Sequence, residues 1–246
     1  MSQKGIRLDK AVVACGLAST RSQAESNIRL GNIIVNKRVV TNPNTVVSFD
    51  AKLRLLSKKQ YVSRAGLKLA GVAKDFRLNF RNKIILDIGS STGGFTDYAL
   101  NNGAKKVIAI DSGTNQLHHS LREDNRVELH EKTDIRDIIR LTDTPDIILI
   151  DVSFISIREI LPSVIHLLGK DTLTVAMIKP QFETDKCYQK QRGVIKNNAM
   201  RRDILKSVER WIRTRFVILD KSDSKIAGSK GNLERFYLLK ATNHDD

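Results

Sequence analysis

The residues with most chemistry to offer stand at the ends of short apolar runs. Between Lys83 and Asp111 the chain reads KIILDIGSSTGGFTDYALNNGAKKVIAID. Ile84-Ile85-Leu86 runs into Asp87, a loop of small residues follows (Gly89, Ser90, Ser91, Thr92, Gly93, Gly94), a helical segment starts at Phe95, and Val107 to Ile110 runs into Asp111. This order predicts a strand, a tight loop, a helix and a second strand. A glycine-rich turn lets backbone come close to a ligand, because no Cβ intervenes. An acid about 20 residues past such a loop, at the end of the next strand, can accept hydrogen bonds from both hydroxyls of a ribose. The stretch therefore predicts a nucleoside-bearing cofactor, with Asp111 on its ribose. Gly89-x-Ser91-x-x-Gly94 stands where a dinucleotide fold usually has GxGxxG. There is no GxxxxGK[ST], so ATP hydrolysis is not supported.

Other runs end the same way. Val127 to Leu129 precedes Asp134, Ile147 to Ile150 precedes Asp151, and Leu173 to Ile178 precedes Lys179. Between them Ile135, Ile138, Ile139 and Leu141 have helical spacing, as do residues 157–168 and the amphipathic run 200–216. Val217 to Leu219 and Phe236 to Leu239 read as final strands, and the polar stretch 183–197 as a mobile loop. Residues 61–76 predict a helix burying Leu67, Leu69, Ala70, Ala73 and Phe76, with Lys68 solvated on periodicity alone. Strands alternating with helices imply an α/β fold, a mainly parallel sheet with helices on both faces. Ligands then sit beyond the strand C-termini, so Asp87, Asp111, Asp134, Asp151 and Lys179 are the informative positions.

The first quarter of the chain differs in charge. Residues 1–60 carry 11 basic and 3 acidic residues, more than half of the net +15 of the whole chain. Such a density suits a polyanion, most simply nucleic acid. Two helical segments (6–15, closed by Gly16, and one opened by Thr20-Arg21-Ser22-Gln23 and closed by Gly31, with Leu30 near its end) precede short strands at Ile33–Val35, Val39–Val40, Val46–Val47 and Leu53–Leu56. The pattern RLD, then ST-R-xx-A-xxx-I-xx-G-x-I-x-V-N, resembles the alpha-L or S4-like RNA-binding domain, a small α+β unit. The resemblance implies that Arg21 and its surroundings face RNA, with Arg7, Lys10, Arg29, Lys37 and Arg64 as further contacts. Lys37 departs from the family, which often has Gly there; Lys enters a left-handed turn less easily, which leaves the turn type open. Residues 1–57 are read as this domain, 58–60 as a linker and 61–246 as a second domain. Only two cysteines occur, Cys15 and Cys187, without metal-ligand spacing, so neither a zinc site nor a disulfide framework is expected. The start of the chain has no signal-peptide core, and no apolar run approaches the ~20 residues of a membrane span; a cytoplasmic protein is expected.

DIGSSTGGF resembles the first motif of class I (Rossmann-like) methyltransferases that use S-adenosylmethionine. YVSRAGLKL, DIGSSTGGFTD, DVSFIS, IKPQFE and GNLERF, in this order, are similar to the TlyA-type (hemolysin A-type) ribosomal RNA methyltransferases, which join an S4-like domain to an FtsJ-like catalytic domain. The likeness covers almost the whole chain. It implies S-adenosylmethionine as cofactor, ribosomal RNA or a ribosomal subunit as partner, and methylation of a ribose 2′-hydroxyl, most simply of cytidine. It implies a catalytic set of Lys68, Asp151, Lys179 and Glu234, with Glu183 as a rival for the last. The cofactor would be held by Asp87, Gly89, Ser91, Gly93, Gly94, Phe95 and Asp111, with Asp134 on the adenine amino group; a helix cap is the alternative for Asp134. A 2′-hydroxyl attacks well only after losing its proton. A lysine can take that proton only once it has lost its own, and its ordinary pKa is about 10.4; burial and a second ammonium favour the neutral amine. Two other functions remain to be weighed: a non-catalytic RNA-binding or ribosome-assembly factor, and a membrane-lytic protein, against which the missing signal and span argue.

Overall fold

A computed structural model describes residues 5–29, 31–56, 61–184, 193–195, 197–228 and 231–242. Leu30, Cys187, the expected linker at 58–60 and the middle of the expected loop 183–197 lie outside them. The chain divides into two units, Met1–Arg64 and Ala65–Asp246, each described by itself.

In the first unit, strand β1 (Gly5–Arg7) leads directly into helix α1 (Leu8–Ala14). Gly16, at φ +69°, ends that turn of chain in the left-handed conformation a glycine accepts at no steric cost. Helix α2 (Arg21–Arg29) is opened by a variant of the capping box: Thr20 Oγ1 accepts from Gln23 N at 3.2 Å, while Gln23 Oε1 accepts from Ser19 N at 2.8 Å, one residue further back than the usual reciprocal bond. Strands β2 (Ile33–Val35), β3 (Arg38–Val39), β4 (Val46–Ser48) and β5 (Leu53–Leu55) complete the unit as a three-stranded sheet β3-β2-β5 and a β1-β4 pair. Asn36 and Lys37 turn the β2–β3 hairpin at φ +46° and +72°, so Lys37 does adopt the left-handed conformation. Lys52 N donates to Asn36 Oδ1 at 2.9 Å and braces the turn. Leu8, Val12, Ala24, Ile28 and Ile33 form the core.

Asp9 was not singled out in the sequence, yet it is fully buried and organises the basic face. Arg7 Nε and Nη2 donate to it at 3.1 and 2.8 Å, Arg21 Nε at 2.7 Å and Lys10 N at 2.9 Å. Lys10, Arg21, Arg29 and Lys37 are exposed, and Arg7 is partly so.

The boundary falls at the first residue of α3 (Arg64–Ala73), and from there the second unit continues as β6 (Ile84–Ile88), α4 (Gly94–Asn101), β7 (Lys106–Asp111), α5 (His119–Arg122), β8 (Val127–Glu131), β9 (Ile147–Ile150), α6 (Ile157–Ile165), β10 (Leu173–Ile178), α7 (Asn198–Ile212), β11 (Phe216–Asp223) and β12 (Arg235–Ala241). Its strands form one seven-stranded sheet in the order β11-β12-β10-β9-β6-β7-β8. The five strands from β10 to β8 are parallel, and β12 runs antiparallel between β10 and β11. Apolar side chains of the central strands meet α6 and α7 in the main core. One expectation fails: residues 135–141 are not a helix but a single 3-10 turn, Ile135–Asp137. Of its helically spaced apolar residues only Ile135 is fully buried, and Ile139 is 88% exposed, so there is no continuous face to bury.

Arg7 above all, then Arg21 and the Lys10 amide, hold the Asp9 carboxyl well below the usual carboxylate range, against the opposing effect of burial. The native group titrates below the unfolded one, so its stabilisation is complete above about pH 4 and is lost as pH falls through the native value. Asp9→Asn should weaken the first unit by about 1–3 kcal/mol at neutral pH, read as faster hydrogen exchange of α1 and α2 amides in the full chain. The gap from the parent should narrow toward about pH 3.

Candidate active site

The strand order reverses between β6 and β9, the place where a doubly wound sheet leaves a crevice outside its strand C-termini. A cavity of about 540 Å³ lies there, lined by Gly89 and Ser91 after β6, Asp111 and Gly113 at β7, Thr133 and Asp134 after β8, and Asp151 and Phe154 after β9. Gly89 has φ +80°, and a Cβ on it would stand 2.7 Å from the Asp151 carbonyl oxygen. No other residue fits that close approach of two loops. Asp111 accepts from Ser91 N through Oδ2 at 2.8 Å and from Gly113 N through Oδ1 at 2.7 Å. Its oxygens are thus fixed in direction while keeping lone pairs for a ligand.

Asp87 is fully buried and accepts from Thr96 Oγ1 through Oδ2 at 2.6 Å. Among the described residues its Oδ1, like Ser90 Oγ, has no hydrogen-bond partner. Burial pushes the Asp87 carboxyl up to about 7; the Thr96 hydroxyl opposes this, and the Asp151 and Asp111 charges add to it. Asp134 lines the cavity but also caps the 3-10 turn, accepting from Arg136 N at 2.9 Å and from Arg136 Nη2 at 2.7 Å. The cap named as its alternative is therefore present. Gly93, Gly94 and Phe95 do not line the cavity. Gly93, at φ +96°, sits under Leu117 and Leu121, where a Cβ would lie 2.8 and 2.3 Å from their methyls. Gly94 begins α4, and Phe95 turns into the core against Phe236. The sequence reading missed Ser112, Gly113, Gln116 and Thr133, whose only signal is that they follow β7 and β8 at the same edge.

Beside the cavity the same edge gathers charge. Asp151 ends β9 and Lys179 ends β10, its parallel neighbour. Because β12 is antiparallel to β10, with Arg235 opposite Ile178, Glu234 enters at this edge too. Lys179 Nζ lies 2.6 Å from Asp151 Oδ1 and donates to Ser153 Oγ at 2.8 Å. Lys68, on α3, pairs with Glu234. Lys68 is 8% exposed and Glu234 3%, which corrects the solvated position that periodicity assigned to Lys68. An unpaired ammonium so placed would carry a desolvation penalty of several kcal/mol. Gly228 leaves the room for this pair: a Cβ there would come within 2.8 Å of Glu234 Oε1.

Glu183 lies elsewhere, accepting from Ser156 Oγ at 2.6 Å and Ile157 N at 2.8 Å. Phe154, also missed, is 68% exposed at φ +66°, with its ring 5.1 Å from that of Phe182. Arg64, the last of the expected RNA contacts, opens α3 and is part-buried.

A mainly parallel sheet with its cavity at the reversal of strand order is the doubly wound architecture of nucleotide- and nucleoside-binding α/β proteins. Comparison with known proteins carries this further. An FtsJ-like methyltransferase family matches residues 61–241, and the S4 domain matches residues 6–53. Hemolysin A of Brachyspira hyodysenteriae is 39% identical over 233 residues, spanning 93% of this chain and 97% of its own. The 16S/23S rRNA (cytidine-2′-O)-methyltransferase TlyA of Mycobacterium tuberculosis is 34% identical over 239 residues, spanning 95% of this chain and 89% of its own. A solved structure from Streptococcus thermophilus, with a provisional hemolysin name, superposes with a TM-score of 0.72 at 35% identity over 98% of this chain and 90% of that one. The chain belongs to the FtsJ-like methyltransferase family and carries an S4 domain ahead of the catalytic part. Its cofactor is S-adenosylmethionine, and the cavity fits that molecule: a carboxylate at Asp111 with oriented oxygens that can accept from hydroxyl groups, and a glycine where two loops approach closely.

The native Asp87 carboxyl titrates near 7 and the unfolded one near about 4. Its contribution to stability is therefore complete below about pH 4 and is lost as pH rises through about 7. Asp87→Asn keeps an acceptor for Thr96 and should remove that loss. Urea midpoints measured between about pH 5 and 8 should drop in the parent and stay flatter in the variant; parallel curves would show that the carboxyl is not held neutral.

Proposed function

We propose that this protein transfers the methyl group of S-adenosylmethionine to a ribose 2′-hydroxyl of ribosomal RNA, on cytidine, with Lys68, Asp151, Lys179 and Glu234 as the catalytic set. The observation that carries the reading is the meeting of the Lys179–Asp151 and Lys68–Glu234 pairs at the edge that also bears the cofactor cavity. When bound, S-adenosylmethionine would supply an electrophilic methyl carbon that an oxygen in line with the S–C bond can attack, the electron pair of that bond leaving with sulfur as the neutral thioether. Positioning that oxygen is then much of the catalysis. Lys179, once its ammonium has released its own proton to water, would accept the proton of the hydroxyl through the neutral amine. Asp151 and Ser153 hold its Nζ at the mouth of the cavity. Lys68 places a second positive charge at the same edge, where it favours a developing alkoxide, and Glu234 balances it. The exposed ring of Phe154 offers a stacking face to a base turned out of the RNA.

Residues 1–57 would act as the RNA-binding domain and 61–246 as the catalytic domain, joined at 58–60. Lys10, Arg29 and Lys37 point to water and can meet phosphates directly, whereas Arg7 and Arg21 would do so from orientations set by Asp9. A ribosomal partner would support a cytoplasmic location. No observation favours a purely RNA-binding factor. A lytic role rests on the names of relatives alone, and among the described residues no helix is long and apolar enough to cross a membrane.

Lys179→Ala should lower kcat by at least about 100-fold while calorimetric binding of S-adenosylmethionine stays within about twofold of the parent; unchanged methylation of ribosomal RNA would contradict the mechanism. Arg29→Ala and Lys37→Ala should each weaken RNA binding at low salt and reduce the slope of log K against log salt by about 0.7–0.9, with kcat at saturating RNA preserved.

A further inference from the structure

Glu183 is close in sequence to Lys179 but serves a different element. Its Oε2 accepts from Ser156 Oγ at 2.6 Å and its Oε1 from Ile157 N at 2.8 Å. Ser156 is the N-cap of α6, and Ile157 N is one of the amides that a helix leaves unpaired at its start. A carboxyl from the loop after β10 thus closes the start of the helix after β9. A negative group is favoured at a helix N-terminus, although burial pushes the Glu183 carboxyl upward.

The two loops run side by side. Their backbone pairing ends at Ala176 opposite Ile150. Beyond it, contacts of three kinds cross between them in order: Lys179 to Asp151 at 2.6 Å and to Ser153 at 2.8 Å, the Phe182 ring to the Phe154 ring at 5.1 Å, and Glu183 to Ser156 and Ile157. The first is the contact whose charges change when a proton moves. The second is a ring contact half open to water. The third is a pair of directed hydrogen bonds set away from the reacting groups. We propose that Glu183 is a positioning residue, a staple that holds the Asp151 loop and the Lys179 loop in register while the Lys179–Asp151 contact changes charge. This rests on the reading of Lys179 and Asp151 as the reacting pair.

Glutamine can keep both contacts, its amide oxygen accepting from Ile157 N and its amide nitrogen donating to Ser156 Oγ. Alanine removes both. In the full chain, Glu183→Ala should lower kcat by at least about tenfold, with KM for S-adenosylmethionine within about twofold of the parent. Glu183→Gln should restore kcat to within about threefold of the parent. Adding Ser156→Ala to Glu183→Ala should cost less than Ser156→Ala does alone, since the two side chains share one hydrogen bond. A Glu183→Ala enzyme with parental kcat overturns the proposal. So does an equal loss in Glu183→Ala and Glu183→Gln, which would mean that the carboxylate itself reacts. Should Glu183→Ala fail to fold, Ser156→Ala decides: a fall in kcat with unchanged KM supports the staple, and parental kcat overturns it. Lys179→Ala measured alongside separates the two claims, because its full activity would remove the reacting pair rather than the staple.

Discussion

The second unit is organised by the need to bring two ammonium groups and two carboxylates to one edge of a sheet without leaving any of them uncompensated. Lys68 is the strictest case. It sits on a helix whose inner face is otherwise apolar, and only Glu234 makes that position tolerable. Removing one partner of such a buried pair typically costs about 3–5 kcal/mol. The strand carrying Glu234 must therefore reach the same edge as Lys179, and it does so by running antiparallel between β10 and β11. Had β12 been parallel, Glu234 would stand at the opposite edge and Lys68 would have no counter-ion.

The cofactor cavity and the charged edge are joined through backbone. Gly89 packs against the carbonyl of Asp151, so the loop that shapes the cavity also fixes the start of the loop carrying Asp151 and Ser153. The Asp151 amide in turn donates to Ile88 O at 3.0 Å. The loop after β9 thus has the cavity on one side and the Lys179 loop on the other. Displacement at a methyl carbon demands an acceptor held in line with the leaving sulfur, and rigid placement of these loops supplies that geometry more directly than any one side chain. In the first unit Asp9 has a comparable part, since a buried carboxylate sets the direction of two arginines on an otherwise open basic face.

What could be read in the sequence depended on how local the cause was. The loop after β6 and the place of Asp111 follow from a strand, a glycine and an acid within one βαβ unit, and the structure puts Gly89, Ser91 and Asp111 around one cavity. The hairpin at Asn36-Lys37 and the cap at Thr20 are equally local. Lys68 could not be placed by periodicity, because what buries it is an acid 166 residues away. The resemblance to known methyltransferases named both residues, whereas helical spacing gave the wrong side of the helix. Glu183 and Glu234 could not be separated from sequence alone, since only the β10–β12 register and the start of α6 show which acid meets a lysine. The failed helix at 135–141 has the opposite origin: its spacing was right, but no neighbouring surface covers Ile139. Phe95, expected near the cofactor, has its ring packed from α4 against Phe236 of β12, a contact that no local pattern shows.

The central claim, that the two lysine–carboxylate pairs deliver a methyl group to a ribose hydroxyl, is tested most directly by incubating purified protein with ribosomal subunits and S-adenosylmethionine and mapping the RNA by mass spectrometry of nuclease fragments and nucleosides. The expected result is one added methyl group on the ribose of a cytidine, lost when Lys179 is replaced by Ala. A methyl group on a base, or ribose methylation that persists in the Lys179→Ala protein, would contradict it.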